Sequence, residues 1–240
     1  MKKIIVSFLI FILFFLFLFS FEIYAQGIFI GIDFFAELNM GWQNYTYLNF
    51  TAENPWNFIF ILHTGLRFSF FPITRINNRQ YNNLPLGLII MVAYNSSNNF
   101  GRYDCFDTYL GRDYDLSFIR LTLMLGYGGG AVDFDDEGRY SVLSSFNFGF
   151  YYSKFIGGDY WSEEQIRYEG LIPEGHIADD FGIRIEWYGS FGMGFSKNLS
   201  FIGFSISIFI DINLKDIINT DDEKLTYWSL GVYFGLPIHF

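Results

Sequence analysis

One row of side chains is apolar and the next is not, over most of this chain. In residues 201–214, "FIGFSISIFIDINL", one row reads Ile202, Phe204, Ile206, Ile208, Ile210, Ile212, Leu214. The other reads Phe201, Gly203, Ser205, Ser207, Phe209, Asp211, Asn213. Residues 181–196 behave the same way, with Phe181, Ile183, Ile185, Trp187, Phe191, Met193 and Phe195 against Gly182, Arg184, Glu186, Tyr188 and Ser190. Period-two patterning is the mark of strands with two unlike faces. It recurs over 28–40, 57–71, 84–94, 114–127, 139–153 and 225–240, which makes eight segments. Segment 84–94 is the least regular, because Ile89 and Met91 stand on its weaker row.

Alternation alone fits a soluble sandwich or a membrane barrel. The composition of the weaker row separates them. A water-facing row is rich in Lys, Glu, Thr and Gln. Here it holds Gly, Ser, Asn, Tyr and isolated charges, which suits a crowded lumen. The apolar rows carry no charge and are long enough for a lipid-facing band of roughly 25 Å. Strands of about 9–11 tilted residues cross a bilayer, and backbone groups in lipid must all be paired, so the sheet has to close. The expected fold is all-β: an eight-stranded antiparallel transmembrane barrel.

The connections fall near 41–56, 72–83, 95–113, 128–138, 154–180, 197–200 and 215–224. With the chain entering from the periplasm, loops 41–56, 95–113, 154–180 and 215–224 lie outside, and 72–83, 128–138 and 197–200 lie inside. Long outer loops and short inner turns are the usual asymmetry of such barrels. Trp42, Trp56, Trp161, Trp187 and Trp228 then fall in or near the outer half, as an interfacial girdle.

The chain closes with "GVYFGLPIHF". Tyr233, Gly235, Ile238 and Phe240 resemble the C-terminal signal by which outer-membrane barrel proteins are recognised for insertion. Phe240 is expected as the last lipid-facing residue of the final strand. Pro237 departs from the pattern and removes a ladder donor, so pairing should weaken there. The resemblance is to the small OmpA/OmpX-type outer-membrane barrels. It implies a location, a fold, and partners in outer-membrane lipid and the barrel-assembly machinery. It carries over no functional residue.

The first residues read as an export signal. Lys2 and Lys3 precede an apolar run from Ile4 to Phe21, then "EIYAQG", with a cut expected after Ala25. The run is also about long enough to span a bilayer, so an uncleaved anchor is the rival reading. The domains are therefore 1–25, signal peptide, and 26–240, barrel. The formal charge of the whole chain, -10, argues against nucleic acid as a partner. The lone Cys105 makes no internal disulfide.

Inward-facing Asp33, Glu37, His63, Arg67, Arg120, Arg184, Glu186 and Asp211 are the candidate lumen network. A turn at 197–200 sets opposite residues whose numbers sum to about 397, with Glu186 near Asp211 and Arg184 near Asp211 and Asn213. Asp33 and Arg67 are likewise close across the first hairpin. Buried charges must pair, so these residues read first as a salt-bridged plug. They read alternatively as the lining of a narrow channel. His176, Asp179 and Asp180 in "EGHIADD", close to Glu186 and Asp211, offer a third reading, a rim hydrolase that activates water. No catalytic signature accompanies them, and no catalytic residue is assigned. "GYGGG" at 126–130 marks a turn, and "GMGFSK" at 192–197 is no phosphate loop. The acidic clusters at 159–180 and 216–223 match no defined calcium loop. No metal or cofactor is expected. The expected role is non-enzymatic: surface contact, adhesion or envelope structure, with any extracellular ligand met by loops 41–56, 95–113, 154–180 and 215–224.

Overall fold

The structure, a computed structural model, describes residues 27–47, 50–51, 58–76, 79–82, 86–100, 103–105, 108–110, 113–134, 139–161, 167–168, 172, 175–194, 201–221 and 223–239. Eight long strands form the wall: β1 Gly27–Tyr47, β2 Phe58–Ile76, β3 Gly87–Phe100, β4 Asp113–Phe134, β5 Arg139–Trp161, β6 Asp180–Gly194, β7 Phe201–Asn213 and β8 Glu223–His239. Each pairs antiparallel with its neighbours in sequence, and β8 pairs with β1 over Tyr47↔Glu223 to Gly31↔His239. The sheet is closed.

Hydrogen-bonded partners can be followed from Gly31 through Ser69, Ile89, Met124, Gly149, Arg184, Asp211 and Ser229. The path returns to β1 at Gly41, ten residues above its start. With a rise of about 3.3 Å per residue and about 4.8 Å between strands, that stagger tilts the strands about 40° to the barrel axis. Eight strands at this tilt leave an interior that side chains can fill.

The alternation in the sequence becomes inside and outside. Phe34, Leu38, Val92, Leu121, Phe148, Trp187, Ile208 and Phe234 face outward and are exposed, while Asp33, Glu37, Met91, Thr122, Asn147, Glu186, Phe209 and Tyr233 face inward and are buried. Such an apolar exterior is stable only in lipid. Outward-facing charges first appear at Asp115, Lys154, Asp159 and Lys224, toward the outer ends of their strands. Outward Trp42 and Trp228 are direct partners whose rings stack at 4.1 Å, and they mark the outer edge of the apolar band. Trp187 does not belong to that edge. It sits mid-strand in register with Phe146 and Ile208, because strand register rather than residue type sets its depth.

The strands run past the ends expected from alternation. Residues 41–47, 95–100 and 154–161 are strand, not loop, as are 72–76, 79–82 and 128–134. Beyond the bilayer both faces meet water, so the apolar period fades while the ladder continues. On the inner side Arg79–Asn82 pairs with both β2 and β4, and on the outer side Tyr103–Cys105 and Thr108–Leu110 form a separate hairpin. β5 takes one extra residue, Ile156, opposite the Ser117–Phe118 step, which is a bulge. The irregular segment of the sequence is explained too. Ile89 and Met91 point into the lumen, where they join Phe35, Phe71, Ala93, Met124, Leu143, Tyr188, Phe209 and Tyr233 in an apolar cluster.

Large inward residues fit because small ones face them. A Cβ on Gly231 would lie 2.2 Å from Asn39 Oδ1 and 2.3 Å from the Phe209 ring. Gly231→Val is therefore expected to cost about 1–3 kcal/mol by overpacking. The unfolding midpoint of the detergent-solubilised barrel in urea, compared with an outward control such as Val232→Ala, measures it.

Candidate functional site

The lumen is organised around three arginines, each inward-facing and almost wholly buried. Arg67 on β2 gives Nη1 to both carboxylate oxygens of Glu186, each at 2.8 Å, and stacks over the Tyr188 ring at 3.8 Å. Glu186 also accepts from Asn147 and Ser207, at 2.8 Å each. Arg184 on β6 holds Glu37 in a fork, with Nη2 to Oε1 at 2.5 Å and Nη1 to Oε2 at 3.1 Å, and lies over Phe209. Nδ1 of His63 stands 2.6 Å from the same Glu37. Arg120 on β4 donates to Asp211 at 2.6 Å, Asp180 at 3.2 Å and Ser153 at 2.9 Å, over the Tyr151 ring. Its Nη2 also donates to the Tyr227 hydroxyl at 3.1 Å.

Among the described residues no arginine is hydrogen-bonded to Asp33. Its Oδ2 accepts from the hydroxyls of Tyr188 at 2.5 Å, Tyr233 at 2.6 Å and Ser205 at 3.2 Å. Asp33 and Arg67 do lie close across the first hairpin. The two are register partners across the first hairpin, but the guanidinium turns across the lumen to Glu186. The β6–β7 register also differs from the expected one by two residues. Arg184 faces Asp211, but Glu186 faces Phe209, because partner numbers sum to 395 rather than about 397. The tyrosines were missed as network members. Tyr188, Tyr227 and Tyr233 place phenol hydroxyls on buried carboxylates, and their positions on the weaker row were the signal.

Above this network the outer mouth is plugged. Ile61, Tyr114, Leu116, Phe118, Leu225 and Tyr227 from the wall pack with Ile177, Ile217 and Ile218 from the outer connections. An isolated bridge pairs Ile177 with Ile218, and Ala178 N donates to Ile217 O at 2.7 Å. The plug is held at one polar hub. The Tyr114 hydroxyl donates to Glu223 Oε2 at 2.6 Å and lies 2.6 Å from His176 Nε2, which is 3.2 Å from the same carboxylate oxygen. Tyr114→Phe removes the shared hydroxyl and leaves Glu223 one donor short. It is expected to cost about 1–3 kcal/mol and to speed protease cleavage within 162–179, read by a digestion time course.

The hub does not have the arrangement expected of a hydrolase. His176 meets Tyr114 and Glu223, not Asp179 or Asp180. Asp180 opens β6 and turns inward to Arg120, Asn213 and Tyr227. Asp179 is taken by the Tyr152 hydroxyl and the Phe155 amide. Glu186 and Asp211 belong to the buried network below. Within the described residues no serine or cysteine is hydrogen-bonded to His176.

Of the C-terminal residues, Tyr233 and Gly235 face the lumen and Ile238 faces outward, while Phe240 lies outside the described residues. Pro237 pairs with Asp33 on the β1 side, but the β7 ladder is interrupted opposite Leu236 and Pro237, as the missing amide requires.

No family model matches this sequence, and no curated protein does. Among solved structures, Ail, the attachment invasion locus protein of Yersinia pestis, in complex with the heparin analogue sucrose octasulfate, is similar at 12% identity. That likeness covers 85% of this chain and 98% of Ail, with a TM-score of 0.26. A second Ail structure aligns at 13% identity over 85% and 98%, with a TM-score of 0.25. The deltaS2 mutant of the TodX monoaromatic hydrocarbon channel aligns at 9% identity over 88% and 90%, with a TM-score of 0.17. These likenesses are weak, and the assignment of fold rests on strand pairing and on the apolar exterior. The chain is a closed, eight-stranded antiparallel β-barrel with an apolar exterior.

Proposed function

We propose that this chain is a bacterial outer-membrane protein, exported by residues 1–25, with both termini periplasmic. Its role is non-enzymatic contact at the outer end, with extracellular molecules, neighbouring cells or other envelope proteins. The observation that carries this reading is the filled lumen. Three buried arginines and their carboxylates occupy the middle, and an apolar plug covers the mouth. A solute path through such an interior would have to break several buried ion pairs at once. What remains free to act is the outer rim, where β1, β4 and β5 run past the apolar band and where the chain between β3 and β4 carries the hairpin of Tyr103–Cys105 and Thr108–Leu110. The barrel-assembly machinery and outer-membrane lipid are the partners this reading requires.

Two measurements test it. The purified barrel in a planar bilayer is expected to give no stepwise conductance. Cells displaying the protein are expected to auto-aggregate or bind a matrix-coated surface, and to lose that property when Tyr103–Leu110 is replaced by a Gly-Ser linker. The replaced variant should keep the heat-dependent gel shift of a folded barrel. Conductance that changes in an Arg120 variant, or display without any adhesive effect, would overturn the reading.

A further inference from the structure

Among the described residues the lipid-facing wall has a cut-out. Gly129, Ser144 and Gly189 are direct partners on β4, β5 and β6, and all three stand on the outward row. At the same depth the wall elsewhere carries Phe204 and Leu236, both well exposed. Tyr127, Phe146 and Trp187 are partners on the next outward row toward the outer end. With Gly128, Gly129, Ser144 and Ser145 they line a trough of about 440 Å³. A Cβ on Gly189 would meet nothing nearer than the Leu143 carbonyl oxygen, 4.0 Å away, so packing within the protein does not demand a glycine there.

The depth of the trough follows from the register. Ser144 connects through Gly189 and Ile206 to Phe234, which lies six residues nearer the inner end of β8 than Trp228. Those three steps climb with the stagger of the barrel by about four residues. Ser144 therefore lies about ten residues, or about 25 Å along the axis, below the Trp42–Trp228 pair at the outer edge. The apolar band of such a barrel is about that tall, so the trough opens at its inner margin. There a bilayer changes from hydrocarbon to glycerol and ester groups. The lining matches that change. Ser144 and Tyr127 supply hydroxyls, while Phe146 and Trp187 stand two residues further into the band as an apolar wall. Tyr and Trp rings suit sites that are apolar at one end and wet at the other.

We propose that this trough holds one glycerophospholipid of the inner leaflet, its glycerol–ester region over Ser144 and an acyl chain along Phe146 and Trp187. The proposal rests on reading the chain as an outer-membrane barrel with periplasmic termini. In a bilayer, apolar surface alone gives no preference for one neighbour over another, so close packing and hydrogen bonds decide. The bare backbone at Gly129 and Gly189 allows close approach, and the Ser144 hydroxyl can donate to an ester carbonyl.

The test folds the full barrel in phosphatidylcholine vesicles containing a phosphatidylethanolamine with a diazirine beside the ester of one acyl chain. After irradiation, cross-links are mapped by mass spectrometry. Labelling at Tyr127, Ser144 and Trp187 should exceed that at Phe204 and Leu236 about tenfold, the preference that one net hydrogen bond with close packing supplies. Ser144→Leu and Gly189→Leu fill the trough, the second without removing the hydroxyl. Each should bring labelling of the trough down to the level at Phe204 while the heat-dependent gel shift persists. If neither variant folds, the distribution on the wild-type wall decides by itself. Even labelling around the wall, or trough labelling unchanged in the folded variants, would overturn the proposal. A protein with no gel shift and no label on any outward residue would instead fail the membrane reading, and the proposal with it.

Discussion

Arg67→Met should be among the most damaging single changes to this barrel. The guanidinium serves both oxygens of Glu186 and lies over Tyr188, with no exposure to solvent. Removing it leaves a buried carboxylate supported by the neutral Asn147 and Ser207 and by the more distant Arg184, at 3.9 Å. Breaking a buried pair in this way costs about 3–5 kcal/mol, whereas replacing both partners by neutral groups is far less damaging. The double variant Arg67→Met with Glu186→Gln should therefore recover much of the loss. Urea unfolding of the refolded barrel in lipid vesicles, read by tryptophan fluorescence, gives the cycle. A single variant as stable as wild type would show that the pair is not sealed from water.

A second large effect is expected on the opposite face. Ile208 is half-exposed and points into lipid, beside Trp187 on one side and Val232 on the other. Ile208→Arg places a charge well inside the apolar band and should cost about 2–4 kcal/mol. Lys154 shows the contrast, since it also faces outward but near the outer end of β5. Moving the new Arg to Leu214, beyond the end of β7, should cost little. Equal costs at 208 and 214 would mean that the band does not lie where the register puts it.

Most of the wall was legible in the sequence. Where one face meets lipid and the other a crowded lumen, the period of two is strong, and all eight strands show it. The strand ends were not legible, because Asn44 or Asp159 beyond the bilayer faces water whichever way it points. Nor was the plug. Ile177, Ile217 and Ile218 stand in acidic connections with no period, and their burial depends on folding back over the mouth, a tertiary event. The lumen charges were visible as residues on the inner row, but their partners were not. A two-residue error in the β6–β7 register moves Glu186 from Asp211 to Phe209, and long arginine side chains reach across the lumen rather than along the sheet. Asp180 illustrates both difficulties. It read as part of a solvated outer loop, yet it opens β6 and accepts from Arg120, Asn213 and Tyr227.

The central claim is closure, with β8 on β1 in one register. It is tested most directly by joining them. Leu38 and Val232 are outward-facing partners across the seam, and opposite residues in an antiparallel pair have Cβ atoms about 4.5–5.5 Å apart. In a Cys105→Ser background, Leu38→Cys with Val232→Cys should be linked by a short bifunctional thiol reagent in folded membranes, giving a circular chain of altered mobility after boiling. A pair offset by four residues, Leu38→Cys with Leu236→Cys, should not link. Efficient linking of the offset pair, or none of the matched pair in a folded protein, would contradict a closed barrel with this seam.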